Sequence, residues 1–156
     1  MPTGPDSFPA TGVNSLASYG VRAAARIIDT LIIAGPVLLA ATVVLAERGT
    51  ADQGFPRWSA AVWFALAVTY DTVLVAWKGQ TVGMLAVGIK VARIDNGRRP
   101  SWAHAGIRIA LPAMAAALPF DYAIVVYSGI FTTAAWNPMR RGWHDKAAGT
   151  VVVATR

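Results

Sequence analysis

The chain has 156 residues, 55% of them hydrophobic and 14% charged, with a mean hydropathy of +0.47. So few polar side chains cannot wet the surface of a soluble globule, which excludes a large soluble catalytic domain and directs the apolar excess toward lipid. The net charge of +6 fits membrane topology and anionic headgroups rather than nucleic acid, because the basic residues flank apolar runs, and the lack of cysteine excludes disulfides and zinc–thiolate sites.

Residues 1–18 are rich in Pro, Gly, Ser and Thr without apolar periodicity, so a disordered N-terminal tail is expected there, followed by one membrane domain over 19–156. This tail lacks the basic start and apolar stretch of a secretory signal, so the first span itself is expected to direct insertion. Residues 27–46, IIDTLIIAGPVLLAATVVLA, supply about the 20 apolar positions that a helix needs to cross the hydrocarbon core. Gly35 and Pro36 in its middle are expected to kink it. After a short connection, 58–77 is again long enough to cross, with Trp58 and Trp77 placed as anchors at the two interfaces.

The segment 78–102 is interrupted by Gly79, Gly83 and Gly88 and is expected at the membrane surface. Its Lys90, Arg93, Arg98 and Arg99 are candidates for contact with lipid headgroups. Within it, 89–94 reads as a short strand, and Asp95-Asn96-Gly97 carries the chemistry of a tight turn. A second β-branched run, 150–154, is expected to pair with the first as a small cytoplasmic sheet. The apolar stretch 107–136 is too long for one untilted span and is broken by Pro112, Pro119 and Asp121, so it is one tilted helix or two half-helices that turn back. The fold class is therefore all-α: a small membrane bundle of two transmembrane helices plus a broken third helix or helical hairpin, with a short cytoplasmic β-hairpin or sheet. Basic residues cluster in 78–108 and again toward the C-terminus, so the positive-inside rule puts both termini in the cytoplasm.

Arg22, Arg26 and Asp29 follow one another at spacings of four and three, which places them on one face of the first helix. With a cytoplasmic N-terminus the second span returns to the same side, and Asp71, six residues before Trp77, lies roughly 9 Å below that interface. Two carboxylates and two guanidiniums can thus meet in the inner half of the bilayer. Ionisable groups there cost several kcal/mol unless paired or hydrated, so each Asp is a candidate for an ion or proton pathway. The plainer role is an Arg–Asp pair that locks two helices together. Downstream, His144-Asp145 can orient a ring nitrogen or shuttle a proton, but no nucleophile elbow and no third zinc ligand accompany it. No catalytic residue, metal or cofactor is expected, and His104 reads as an amphipathic interfacial side chain. The candidate cluster is Arg22, Arg26, Asp29, Asp71, His144 and Asp145.

The segments RAAARIIDTLI, KGQTVGMLAVGIKV, DNGRRPSW with Arg108, and RRGWHDKAAGTVVV, in this order, resemble the RDD family of bacterial membrane proteins, named for one Arg and two Asp residues. The likeness covers essentially everything from Tyr19 onward, and its most specific parts are GQTxG…GIKV and HDxxAGTxVV. It implies Arg22 as the family arginine, Asp29 as the first aspartate, and Asp71 or Asp145 as the second, Asp145 standing in the stronger motif. Met84 departs from the pattern, since relatives usually carry Lys after GQTxG; that removes a cation near the headgroups.

Some members of that family resemble cation/proton antiporters, and others lie beside unrelated envelope functions. The expectation is accordingly a multi-pass bacterial inner-membrane protein that oligomerises and moves or senses a monovalent cation or proton, using Asp29 with Asp71 or Asp145. The rival expectation is a non-catalytic accessory or scaffold subunit of a larger envelope complex. Expected partners are a bilayer with anionic headgroups and either copies of itself or a larger membrane complex, with no nucleic acid.

Overall fold

The computed structural model describes residues 4–48, 57–116 and 120–156. Pro119, most of the first loop and the side chains of Trp58 and Asp121, to which the sequence assigned roles, lie outside the described residues. A 3-10 turn at Pro5–Ser7 precedes α1 (Tyr19–Arg48), α2 (Arg57–Lys78), α3 (Val82–Ala86), β1 (Ile89–Arg93), α4 (Trp102–Ala116), α5 (Phe120–Thr132), α6 (Trp143–Ala147) and β2 (Thr150–Ala154).

The 30 residues of α1 and 22 of α2 rise about 45 and 33 Å at 1.5 Å per residue. Both are long and apolar enough to cross a membrane. Helix α1 runs on through Pro36. Its Leu31 and Leu39 are about two-thirds exposed (68% and 67%), the pattern of side chains whose solvent is lipid. With 15 and 13 residues, α4 and α5 are each only about 20 Å long, too short to cross alone. They pack against each other, and Arg108 near the start of α4 shares a cavity with Tyr127 and Phe131 near the end of α5. The apolar stretch 107–136 is thus a helical hairpin that doubles back, the second of the two arrangements open from the sequence.

β1 and β2 form a two-stranded antiparallel sheet with Val91 opposite Val152. This is a sheet between distant segments; Asp95-Asn96-Gly97 closes a separate turn, in which Gly97 at φ +68° donates its N–H to Arg93 O. One face, with Ile89, Val91 and Val152, packs on Ala25 of α1, Val75 and Ala76 of α2, and Met84. The other face, with Ala92, Val151 and Val153, is covered by Phe8 and Leu16.

Within the segment 1–18 expected to be disordered, residues 14–17 pair with β2. Leu16 bridges Val153, Asn14 N donates to Ala154 O at 2.9 Å, and Ala17 N donates to Val152 O at 3.1 Å. Composition missed this because a short polar segment can be ordered by a strand edge whose carbonyls need donors.

Candidate functional site

The first turns of α1, the end of α2 and the start of α4 meet α3, α6 and the sheet, and the buried charged side chains Asp29, Asp71, Arg108 and Asp145 gather there. Arg22, Arg26 and Asp29 descend one face of α1, and each meets a different element. Arg22 pairs with the Asp145 carboxylate of α6 and also donates to the carbonyl of Arg140, a residue held at φ +51° that turns this carbonyl inward. Arg26 Nη1 lies 3.4 Å from Asp71 Oδ1 on α2. Arg108 of α4, 3% exposed, joins the two pairs: its Nε donates to Asp145 Oδ1 at 3.0 Å and its Nη1 reaches Asp71 Oδ2 at 3.3 Å. Three guanidiniums and two carboxylates thereby tie four helices. Burying charges is unfavourable unless partners and hydrogen bonds replace water, and here each carboxylate is shared by two arginines.

Asp29 does not join this network, contrary to its expected place beside Asp71. Its Oδ1 accepts from Tyr70 Oη at 2.7 Å and Gly83 N at 2.7 Å, and its Oδ2 accepts from Thr81 Oγ1 at 2.6 Å. Among the described residues it has no salt bridge. Adjacent helical residues point about 100° apart, so Tyr70 serves Asp29 while Asp71 turns toward α4. The GQTVG segment explains itself here. Gly79 at φ +74° ends α2, Gln80 Nε2 holds Ile89 O at 2.8 Å, and Thr81 caps α3 while binding Asp29. A Cβ on Gly83 would collide with the Ala25 carbonyl and lie 2.9 Å from the Asp29 carboxyl, so only glycine lets α3 sit against α1.

Helix α6 lies outside the two helices that are long and apolar enough to cross a membrane. Its first turn is closed by Gly142 N donating to Asp145 Oδ2 at 3.4 Å, and Thr150 Oγ1 reaches Asp145 O, also at 3.4 Å. Burial opposes ionisation of Asp145, yet His144, Arg22 and Arg108 hold its carboxyl well below the usual carboxylate range. Burial, reinforced by Arg108, Arg22 and Arg26 against the pull of Asp145, pushes the His144 imidazole down to about 4, so it is neutral at neutral pH. The His144 ring lies tilted against Phe131 with ring centres 4.6 Å apart, its Nε2 is 3.5 Å from Asp145 Oδ1, and among the described residues neither ring nitrogen has a hydrogen-bond partner. A Cβ on Gly142 would press on this ring at 2.7 Å.

Between α1, α5 and the sheet lies a cavity of about 330 Å³, lined among others by Arg22, Arg26, Asp29, Arg108, Phe131 and His144. Among the described residues no three His, Asp or Glu side chains gather as a metal site.

The structure thus brings Arg22, Arg26, Asp71 and Asp145 into one network with His144 against it, and sets Asp29 apart on the same cavity wall. The four basic residues assigned to headgroups lie elsewhere. Lys90 is half-buried on β1, Arg93 pairs with Asp95, Arg99 donates to Trp77 O at 2.5 Å, and Arg98 is exposed. His104 Nδ1 lies 2.7 Å from Ser101 Oγ at the start of α4. Sequence reasoning missed the central role of Arg108, although a lone arginine between Ile107 and Ile109 in an apolar helix is itself a signal.

No curated protein and no solved structure matches the chain. The model of the RDD family matches residues 16–149, which hold the three arginines, both network aspartates, Asp29 and the GQTVG turn. The chain therefore belongs to the RDD family, a membrane-associated family.

Proposed function

We propose that this protein is a non-catalytic, multi-pass accessory module of the cell membrane, in which the Arg–Asp network is an architectural clasp. One observation carries the reading: Asp71 and Asp145 are each shared between Arg108 and an arginine of α1. Carboxylates committed in this way are poor carriers of an exchangeable cation, because releasing either one strands buried guanidiniums. The clasp fixes the inner ends of α1, α2 and the α4–α5 hairpin and leaves their apolar outer faces to lipid or to other membrane subunits. A second reading, an oligomeric sensor or transporter of protons or monovalent cations, draws its support from Asp29, the buried carboxylate without an ion partner.

Reconstitution into vesicles with an internal pH dye separates the two. The accessory reading expects no cation-driven proton flux above that of protein-free vesicles. It also expects Asp145→Asn, which strands Arg22 and Arg108, to lower stability by up to roughly 3–5 kcal/mol, read from the thermal midpoint in mild detergent, with partial recovery when Arg108→Met is added. A flux that vanishes in Asp29→Asn while the fold is retained would decide for the second reading.

A further inference from the structure

The cavity holds more cationic donor capacity than the clasp uses. Its lining includes three guanidiniums, Arg22, Arg26 and Arg108, against one carboxylate, Asp29, since Asp71 and Asp145 lie behind the arginines and outside the lining. All three oxygen contacts of Asp29 are from neutral donors that share out its charge. A guanidinium has five N–H donors, and the described contacts of Arg26 are one ion-pair contact at 3.4 Å to Asp71 and a stack 5.0 Å above the Phe131 ring. Its remaining donors are free to face the cavity.

His144 is the second, independent sign. It is 2% exposed and lines the cavity, and among the described residues neither ring nitrogen has a hydrogen-bond partner, with Nε2 3.5 Å from Asp145 Oδ1. A buried polar group left without a partner costs about 1–3 kcal/mol, a penalty that a ligand accepting its N–H removes. A metal cation is disfavoured by the three guanidiniums on the same walls.

Apart from Ser128 and Thr132 the rest of the lining is largely apolar, with Ala23, Ala25, Ile27, Met84 and Val152 among it. Ile27 is 61% exposed and Tyr19 43% exposed, so the cavity opens on the outer side of α1, where the surrounding solvent is lipid. We propose that this cavity binds the anionic headgroup of a membrane lipid, the head held by Arg26, Arg22 and His144 and the acyl chain leaving past Ile27 between α1 and α5. Charge alone would admit a free phosphate. The apolar walls and the mouth on the lipid-facing side select an anion that carries a tail. The site exists whether or not the clasp serves a larger complex.

The test uses the full chain, extracted in mild detergent from membranes containing equal parts of phosphatidylglycerol and phosphatidylcholine, with retained lipid counted by native mass spectrometry. The expected result is one phosphatidylglycerol per chain, preferred over phosphatidylcholine by about tenfold or more, equivalent to about 1.4 kcal/mol. Two variants should lower that preference by at least about fivefold. Arg26→Gln removes the free donors, and Ser128→Trp fills the cavity from α5 without touching an ion pair. Thermal midpoints near that of the unaltered chain show that Ser128→Trp folds, which keeps the test decisive even if Arg26→Gln does not. Equal retention of the two lipids, or unchanged preference in folded Ser128→Trp, overturns the site. Displacement of phosphatidylglycerol by millimolar inorganic phosphate identifies a free anion as the ligand and overturns the lipid.

Discussion

Asp29 shows how far a single residue's role depends on its partners. The sequence placed it on the arginine face of α1, and a carboxylate in that position is naturally read as one half of an ion pair. Its actual partners are donors only: the hydroxyls of Tyr70 and Thr81 and the amide of Gly83. An amide substitution therefore does not preserve the site, because one of the two asparagine termini is itself a donor and must face another donor. Asp29→Asn is expected to lower stability by about 1–3 kcal/mol, read as a lower thermal midpoint in detergent. A midpoint equal to that of the unaltered chain would show that these three bonds contribute little. His144 supplies a pH dependence of its own. Its folded pKa of about 4 lies below the ordinary imidazole value of 6.5, so the unfolded chain binds the proton more readily and stability falls as pH drops from about 6.5 toward 4. Below about 4 both states are protonated and the decline from this residue ends. Asp145 is shifted downward as well, but its contribution is lost only below the ordinary carboxylate pKa of about 4, so the two windows separate. In His144→Phe the slope of thermal midpoint against pH between about 6.5 and 4 should flatten; an unchanged slope would assign it to other groups.

At the scale of elements, the period of the sequence was a good guide where local chemistry decides the outcome. The two long apolar runs, the β-branched strands and the Asp95-Asn96-Gly97 turn are all where hydropathy and turn propensity put them, because each follows from a few neighbouring residues. The register of the sheet was left open by the sequence, and the structure sets Val91 opposite Val152 against the same core. What stayed illegible was whatever a distant segment decides. Residues 14–17, NSLA, carry no strand-like alternation, yet they close the outer edge of β2, and Gly79 O does the same for β1 by accepting from Val91 N at 2.7 Å. Both Val91 and Val152 spend their backbone groups on these outside partners, which makes them a non-hydrogen-bonded pair, the closer kind. Val91→Cys with Val152→Cys in this cysteine-free chain should form a disulfide under mild oxidation. Val91→Cys with Val153→Cys should not, since Val151 and Val153 face Phe8 and Leu16 on the opposite side. Efficient cross-linking of the second pair and not the first would mean that the strand is shifted by one residue.

At the scale of the whole molecule, the clasp and the sheet bring both chain ends to one end of the bundle. The bridge from Leu16 to Val153 joins the segment before α1 to the last strand, and Arg22 joins the start of α1 to α6. Two helices long enough to cross, followed by a hairpin of helices about 20 Å long, would return the chain to the side from which it started. The exposed basic residues on that side, Arg98 and Lys146 among them, are those the positive-inside rule assigns to the cytoplasm. Alkaline phosphatase fused after Arg156 should therefore be inactive in whole cells, and a cytoplasmic reporter such as green fluorescent protein at the same position should fluoresce. The same pair of reporters fused ahead of Met1 should give the same answers, because residues 14–17 and β2 share hydrogen bonds and cannot lie on opposite faces of a membrane. Active phosphatase at the C-terminus alone would require the α4–α5 segment to cross as a single span, which would pull Asp145 away from Arg22 and leave both buried charges without their partner.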